Sequence, residues 1–285
     1  MTMNLSNMLK GAKMINILFG GNYKVYDGIL LCLMSMTKYT NEELNIFILS
    51  AELTELNPDY RPISEDNRKF LDCLVKQKNP NSQVKLIILG DEFKDWITKS
   101  QNKLSVYTPY TFLRLFADKI ESIPDKIIYL DTDMMLNGDI KELFDIDISN
   151  YELGVVKDRY GHIFIRPKYF NAGMLLMNMK MIKETKLFDR VKELCINKKM
   201  GFPDQTALNK CCKKKLFLPR RFNEQGNLCP DTIIQHFSKR IKWLPYFHTQ
   251  NVKPWQIDKV HEVYKWHQYD DIYDQFIKIK NEKTK

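Results

Sequence analysis

The chain has 285 residues, 44% hydrophobic and 12% aromatic, with 44 lysines and arginines against 35 acidic residues and a formal net charge of +9. This length admits one or two domains, and this composition supports a sizeable core and excludes a chain disordered throughout. No apolar run reaches the roughly 18 residues that cross a bilayer, and the N-terminus MTMNLSNMLKGAK has neither a continuous apolar stretch nor a small-residue cleavage site, so a soluble, cytoplasmic protein is expected.

In chain order, residues 1–13 read as a flexible lead-in. MINILF (Met14–Phe19) is a short apolar strand, GGN a turn, and a helical pattern runs from Val25 to about Lys38. LNIFILS (Leu44–Ser50) is a second strand. Ser64 caps a helix through EDNRKFLDCLVKQ with Phe70, Leu71, Leu74 and Val75 on one face. VKLIIL (Val84–Leu89) is a third strand, a helical stretch follows Pro109 through FLRLFADKI, and KIIYL (Lys126–Leu130) is a fourth strand. Later strands are expected at YELGVV (Tyr151–Val156), AGMLLMN (Ala172–Asn178) and TIIQHF (Thr232–Phe237), between longer loops. Apolar strands alternating with helices predict an α/β fold around a mostly parallel sheet. With no repeat or composition break, residues 14–255 form one domain and residues 256–285 a helical, Lys-rich tail.

The six cysteines form no C-x-x-C pair, so reduced, buried thiols are expected rather than a zinc site or disulfides. The positive charge is scattered and interleaved with acids, as on a solvated surface, and does not predict a nucleic-acid partner. Its densest patches are KCCKKK (Lys210–Lys215) and KIKNEKTK (Lys278–Lys285). Both could touch phosphates, including lipid head groups, so a peripheral contact with an anionic membrane surface, at its inner face, is among the expected partners.

KIIYL runs into the sequence DTDMML, which places Asp131 and Asp133 after a buried strand. Residues two apart in a strand point to one side, so the two carboxylates converge if strand geometry continues through Thr132. Together they repel unless a cation lies between them. In an open parallel sheet the ligand crevice lies beyond the carboxyl ends of the strands, where a divalent metal held by both could hold a ligand's phosphates. The bland alternative is a pair of solvated loop aspartates. Aspartyl phosphatases of the haloacid dehalogenase type also end an apolar strand in D-x-D, but theirs usually opens the domain and continues into Gly, whereas this one is mid-chain and continues into MML. Two non-enzymatic readings stand beside these: a basic nucleic-acid-binding module, and a glycan-binding module stacking sugars on Trp243, Trp255 and tyrosines.

Read in order, NILFGGNYKVYDGILLCLMSM, TFLRLFADKIESIPDKIIYLDTDMMLNGDIKELF, YFNAGMLLMNMKMIKE, FPDQTALN, LPRRFNEQ and IIQHF…VKPW resemble glycosyltransferase family 8, over about Met14 to Trp255. The resemblance implies a GT-A fold and a retaining, metal-dependent transfer of a hexose, glucose or galactose, from a UDP-sugar to a glycan, glycolipid or glycoprotein. The implied cofactor is Mn²⁺, with Mg²⁺ as the alternative. Asp131 and Asp133 match the family's D-x-D, with Thr132 between them on the donor side. Arg114 matches an Arg that binds donor hydroxyls or phosphate. Asn22 and Tyr23 match the uridine site, although Gly20 stands where the family often has an Asp. Asn171, Ala172 and Gly173 match an N-A-G that approaches the sugar, and Asp158 a position near donor or acceptor. Asp204 and Gln205 match a D-Q at the anomeric centre and are the implied catalytic pair. Without the family match, Arg114 reads as a surface helix residue, Asn171–Gly173 as a turn before a strand, and Asp204 as a carboxylate at a helix N-terminus. The third metal ligand is expected at His236, at a strand end, with His248 as the alternative, because the family's His and Lys-Pro-Trp are split here. Lys253 is expected at the diphosphate.

Overall fold

A computed structural model of the protein describes residues 14–103, 108–242, 246 and 248–283. The lead-in over residues 1–13 and Trp243 lie outside the described residues. The main elements, in order, are β1 (Ile15–Gly20), α1 (Tyr26–Tyr39), β2 (Leu44–Ala51), α2 (Glu65–Lys78), β3 (Gln83–Leu89), α3 (Asp91–Lys99), a tightly wound segment Pro109–Lys119, β4 (Lys126–Leu130), β5 (Met134–Leu136), α4 (Lys141–Phe144), β6 (Leu153–Lys157) and α5 (Gly161–Phe164). Next come β7 (Phe170–Asn178), α6 (Met179–Glu184), α7 (Leu187–Asn197), α8 (Pro203–Cys211), β8 (Lys215–Phe217), β9 (Ile234–His236), β10 (Arg240–Lys242), β11 (His248–Gln250), α9 (Ile257–Lys259) and α10 (Asp270–Lys283). Ser64 caps α2 as expected, its hydroxyl accepting from the Asn67 N–H at 3.2 Å.

The central sheet has seven strands in the order β3-β2-β1-β4-β7-β6-β8. β1 to β4 run parallel, β7 lies antiparallel to both β4 and β6, and β8 is parallel to β6. The sheet is thus mostly parallel, with β7 the one reversed strand. The reversal carries the start of β7 to the carboxyl end of β4, with Leu130 opposite Met174.

Strand side chains alternate between two apolar layers. Ile128, Leu130, Met174 and Leu176 join one layer with α1, whereas Ile127, Tyr129, Leu175 and Met177 join the other with the Pro109–Lys119 segment, α7 and α8. The C-terminal helix is part of this core. Ile272, Tyr273 and Phe276 are buried in the α1 layer, and Lys38 pairs with Asp271 at 2.7 Å.

Six thiols are free. Cys32, Cys195 and Cys212 are buried, but Cys211 and Cys229 are only half-buried and Cys73 is exposed, so the expectation of buried thiols fails at Cys73. It lies on α2, whose buried positions are Leu71 and Val75, and so falls on the helix's wet side. No helix among the described residues is long and apolar enough to cross a membrane.

Candidate active site

β4 ends at Leu130 and the chain turns at Thr132–Asp133 before β5. Strand geometry therefore does not continue through Thr132, and the turn, rather than the pleat, brings the two carboxylates together. A close approach makes the turn possible: a Cβ on Gly28 would stand 2.2 Å from the Thr132 carbonyl oxygen and 2.8 Å from Trp255 Cζ3.

Asp131 is anchored from the α8 side of the sheet. Its Oδ1 accepts from the Tyr129 hydroxyl at 2.7 Å and from Arg114 Nη2 at 3.3 Å. Burial raises the Tyr129 pKa well above normal, so the phenol keeps its proton and donates. Arg114 is 3% exposed, lies 3.9 Å over the Tyr129 ring, donates to the Ala172 carbonyl and pairs with Asp204 at 3.1 Å. The surface-helix reading of Arg114 is thus overturned: it is the buried cation at the centre of the site. Asp204 is also buried. Burial pushes its pKa up, and Arg114 offsets that only in part.

Asp133 is held by residues far along the chain. β9 pairs antiparallel with β5, with His236 opposite Met134, and this puts His236 Nε2 3.3 Å from Asp133 Oδ1. Lys253 Nζ reaches Asp133 Oδ2 at 2.5 Å. Burial opposes ionisation of Asp133, but the Lys253 ammonium, by its charge and hydrogen bond, and the neighbouring His236 outweigh it and hold the carboxyl well below its ordinary range. His248 lies in β11, opposite Lys242, with its Nδ1 2.9 Å from the Tyr246 carbonyl oxygen.

A relay of amides orients the imidazole. Asp158 Oδ2 accepts from Asn171 Nδ2 at 3.0 Å, while Asn171 Oδ1 accepts the Gly173 N–H at 2.9 Å. With both ends of Asn171 thus assigned, Asn223 must donate its Nδ2 to Asn171 Oδ1, at 3.0 Å, and offer its Oδ1 to His236 Nδ1, at 3.0 Å. His236 then carries its proton on Nδ1 and turns the Nε2 lone pair toward the aspartates. Gln205 joins the same relay: its Oε1 accepts the Ala172 N–H at 3.0 Å and its Nε2 donates to Asp158 Oδ2 at 3.3 Å.

Asp131, Asp133 and His236 each offer a ligand atom, all within 4.8 Å of one another. Gly173 keeps the space between them open: a Cβ there would lie 2.5 Å from His236 Cε1 and 2.9 Å from Asp131 Oδ2. A second group with ligand atoms as close is His261, His267 and Asp270. Its imidazoles stack at 4.6 Å with planes only 22° apart, so lone pairs lying in those planes do not converge. That group is a clasp on the Asp270 carboxylate.

Asn22 and Tyr23 come just after β1. Asn22 is buried as a cap, its Oδ1 accepting from the Lys24 N–H at 3.2 Å, and Tyr23 is 40% exposed with the Lys24 ammonium 5.8 Å over its ring. Tyr129 and Asn223 are the residues that the sequence did not single out. The one aromatic in KIIYL and the Asn of LPRRFNEQ were the available signals, and neither carries a role until the fold places it.

A model of glycosyl transferase family 8 matches residues 16–259. A Haemophilus influenzae protein with the general name glycosyltransferase is 27% identical over 222 residues, 73% of this chain and 63% of that protein. The lipopolysaccharide 1,2-glucosyltransferase of Escherichia coli K12 is 28% identical over 169 residues, 53% of this chain and 50% of that enzyme. The chain therefore spans between half and two thirds of the length of these relatives. Crystal structures of the galactosyltransferase LgtC share the GT-A fold. One, with donor and acceptor sugar analogues, has a TM-score of 0.63 at 20% identity and covers 78% of this chain and 86% of LgtC. Another has a TM-score of 0.68 at 17% identity and covers 94% and 96%.

Proposed function

The chain belongs to glycosyl transferase family 8, and from that premise we propose that it moves a hexose, with retention, from a UDP-sugar to a glycan, glycolipid or glycoprotein acceptor, using a divalent cation. The observation that carries the reading is the convergence of Asp131, Asp133 and His236 at the carboxyl end of β4, with ligand atoms within 4.8 Å. Two carboxylates and one imidazole are a donor set suited to Mn²⁺, with Mg²⁺ as the alternative. The space that Gly173 leaves open and the lone pair turned inward on His236 fit such an ion. When bound, it supplies Lewis-acid stabilisation of a leaving diphosphate.

The remaining roles fall to the chain itself. Lys253, now against Asp133, is long enough to meet the diphosphate's negative charge when the donor enters. Arg114, clamped by Tyr129 and Asp204, fixes Asp131. Tyr23 stacks on the base, with Asn22 ordering the turn beneath it. Asn171, Ala172 and Asp158 line the sugar side. Gln205 is a weak nucleophile with both ends of its amide tied to Ala172 and Asp158, so it positions and shields the anomeric carbon. Retention then calls for attack from the leaving group's own face: the bond from the anomeric carbon to phosphate breaks, the bond to the acceptor oxygen forms, and the acceptor's proton passes to the departing phosphate oxygen.

A glucosyltransferase and a galactosyltransferase among the similar proteins support glucose or galactose as the donor sugar. The test is nucleotide release from a panel of nucleotide sugars. Turnover of a UDP-hexose, lost in chelator and restored by Mn²⁺, is expected. Full turnover in chelator would overturn the metal, and equal use of GDP- or CDP-sugars would overturn the base.

A further inference from the structure

The loop from β6 to β7 carries an apolar tip that nothing in the transfer reaction uses. Ile163, Phe164 and Ile165 are 65%, 65% and 52% exposed. They are the one run of three consecutive large apolar side chains exposed among the described residues. Exposed apolar patches of this kind mark interaction sites. The base of the loop is rigid. The Asp158 N–H donates to the Tyr169 carbonyl at 3.0 Å, Asp158 Oδ1 accepts from the N–H groups of Tyr160 and Gly161 at 3.1 and 2.6 Å, and Gly161 packs so closely that a Cβ would stand 2.3 Å from the Tyr169 ring. The tip is therefore presented already ordered.

Its surroundings are basic. The segment Lys157–Lys168 holds four cations against one carboxylate. The fold then adds Lys215, from KCCKKK some fifty residues downstream. Arg166 and Lys215 both donate to the Asn209 carbonyl oxygen, which places the Lys215 ammonium beside the loop's own cations. Their charges are close enough that Arg166 and Lys168 help burial to lower the Lys215 pKa. Lys157 and Lys168, at the two ends of the loop, remain exposed, whereas Lys213 and Lys214 lie by Glu152 at the amino end of β6. The tail at Lys278–Lys285 is a poorer candidate: α10 packs on α1, and Lys280 is paired with Asp27 at 2.9 Å.

We propose that this tip and its basic surround seat the protein on an anionic lipid surface, with Ile163, Phe164 and Ile165 entering the head-group region and the lysines meeting lipid phosphates. Apolar insertion combined with basic charge is the pair of signals that stable peripheral binding needs. Asp158, at the loop's base, bonds Asn171 and Gln205, so the bilayer would lie at the mouth of the site. The binding does not rest on the metal or the donor and is read without either.

The test is flotation of the full chain with phosphatidylcholine vesicles, with and without phosphatidylglycerol, at low and high salt. Binding to the anionic vesicles alone, lost at high salt, is expected. Ile163→Ser with Phe164→Ser should weaken it by about ten- to a hundredfold, as should Lys157→Glu with Lys168→Glu. Lys278→Glu should leave it unchanged. All these side chains are exposed, and an unchanged melting temperature checks the fold. Equal flotation with neutral vesicles, or an apolar-tip variant that floats like the parent, would overturn the proposal. So would binding to a short nucleic-acid duplex that outcompetes the vesicles, which would make the basic surface a nucleic-acid site.

Discussion

Two carboxylates, Glu152 buried and Asp133 half-buried, sit at opposite ends of the sheet's strands, and their surroundings differ in kind. Glu152 precedes β6 at the amino end. Its Oε1 accepts from the Thr185 hydroxyl at 2.7 Å and Arg190 Nη2 at 3.1 Å, and its Oε2 from the N–H groups of Lys213 and Lys214 at 2.7 and 2.9 Å. Asp133, at the carboxyl end, is met by a flexible lysine from 120 residues away and by an imidazole. Burial pushes both carboxyls up, and their partners bring both below their ordinary values. The Glu152 shell includes two backbone donors that cannot leave without unfolding the start of β8. The Asp133 shell consists of side chains alone: Lys253 can swing aside, the imidazole is held in place by Asn223, and beside them stands a second carboxylate, Asp131. A completed shell makes a strut, whereas an exchangeable one makes a site.

The sharpest way to break that contrast is to neutralise each carboxylate in turn. Asp133→Asn should remove about a thousandfold of turnover, the loss of several kcal/mol of charge stabilisation, with little change in melting temperature. Retained turnover would place the cation elsewhere. Next in size is the comparison of His236→Ala with His248→Ala. The first should raise the Mn²⁺ concentration needed for half-maximal activity, and the second should not. The reverse result would move the third ligand to His248.

The amide relay sharpens the same point. Asn223→Ala should weaken apparent Mn²⁺ affinity by about 10–100-fold, the usual cost of losing a group that orients a metal ligand, while kcat at saturating Mn²⁺ largely recovers. A lower melting temperature with an unchanged Mn²⁺ requirement would reduce Asn223 to packing.

At the strut, Glu152→Gln puts an amide NH₂ into a shell whose four partners all donate. It should cost about 2–3 kcal/mol of stability, read by chemical denaturation, and leave turnover intact. The smallest effect is its pH dependence. Because the folded Glu152 carboxyl titrates below its ordinary 4.5, its contribution is complete above that pH and is lost as pH falls below it. The Glu152→Gln protein should therefore lose stability less steeply than the parent between about pH 5 and 3, and parallel acid limbs would contradict this assignment.

The sequence alone determined the alternation of strands and helices, the sheet's mostly parallel character and the place of the aspartates after β4. These follow from local periodicity: continuous apolar runs such as KIIYL and LNIFILS can be satisfied only inside a sheet covered on both faces. The ordered motifs from NILFGGNY to VKPW carried the family, because several residue choices in fixed order are far more specific than D-x-D alone. Only the tertiary structure decided that β7 runs backward and delivers Asn171–Gly173 to the end of β4. Sequence periodicity does not encode strand direction, which depends on how the connections pack. Nor could local pattern show that a turn at Thr132 joins the carboxylates, that Arg114 is a buried clamp, or that Asn223 sets the proton on His236. Each of those depends on contacts between residues far apart in the chain, such as the pairing of β5 with β9 that places His236 beside Asp133.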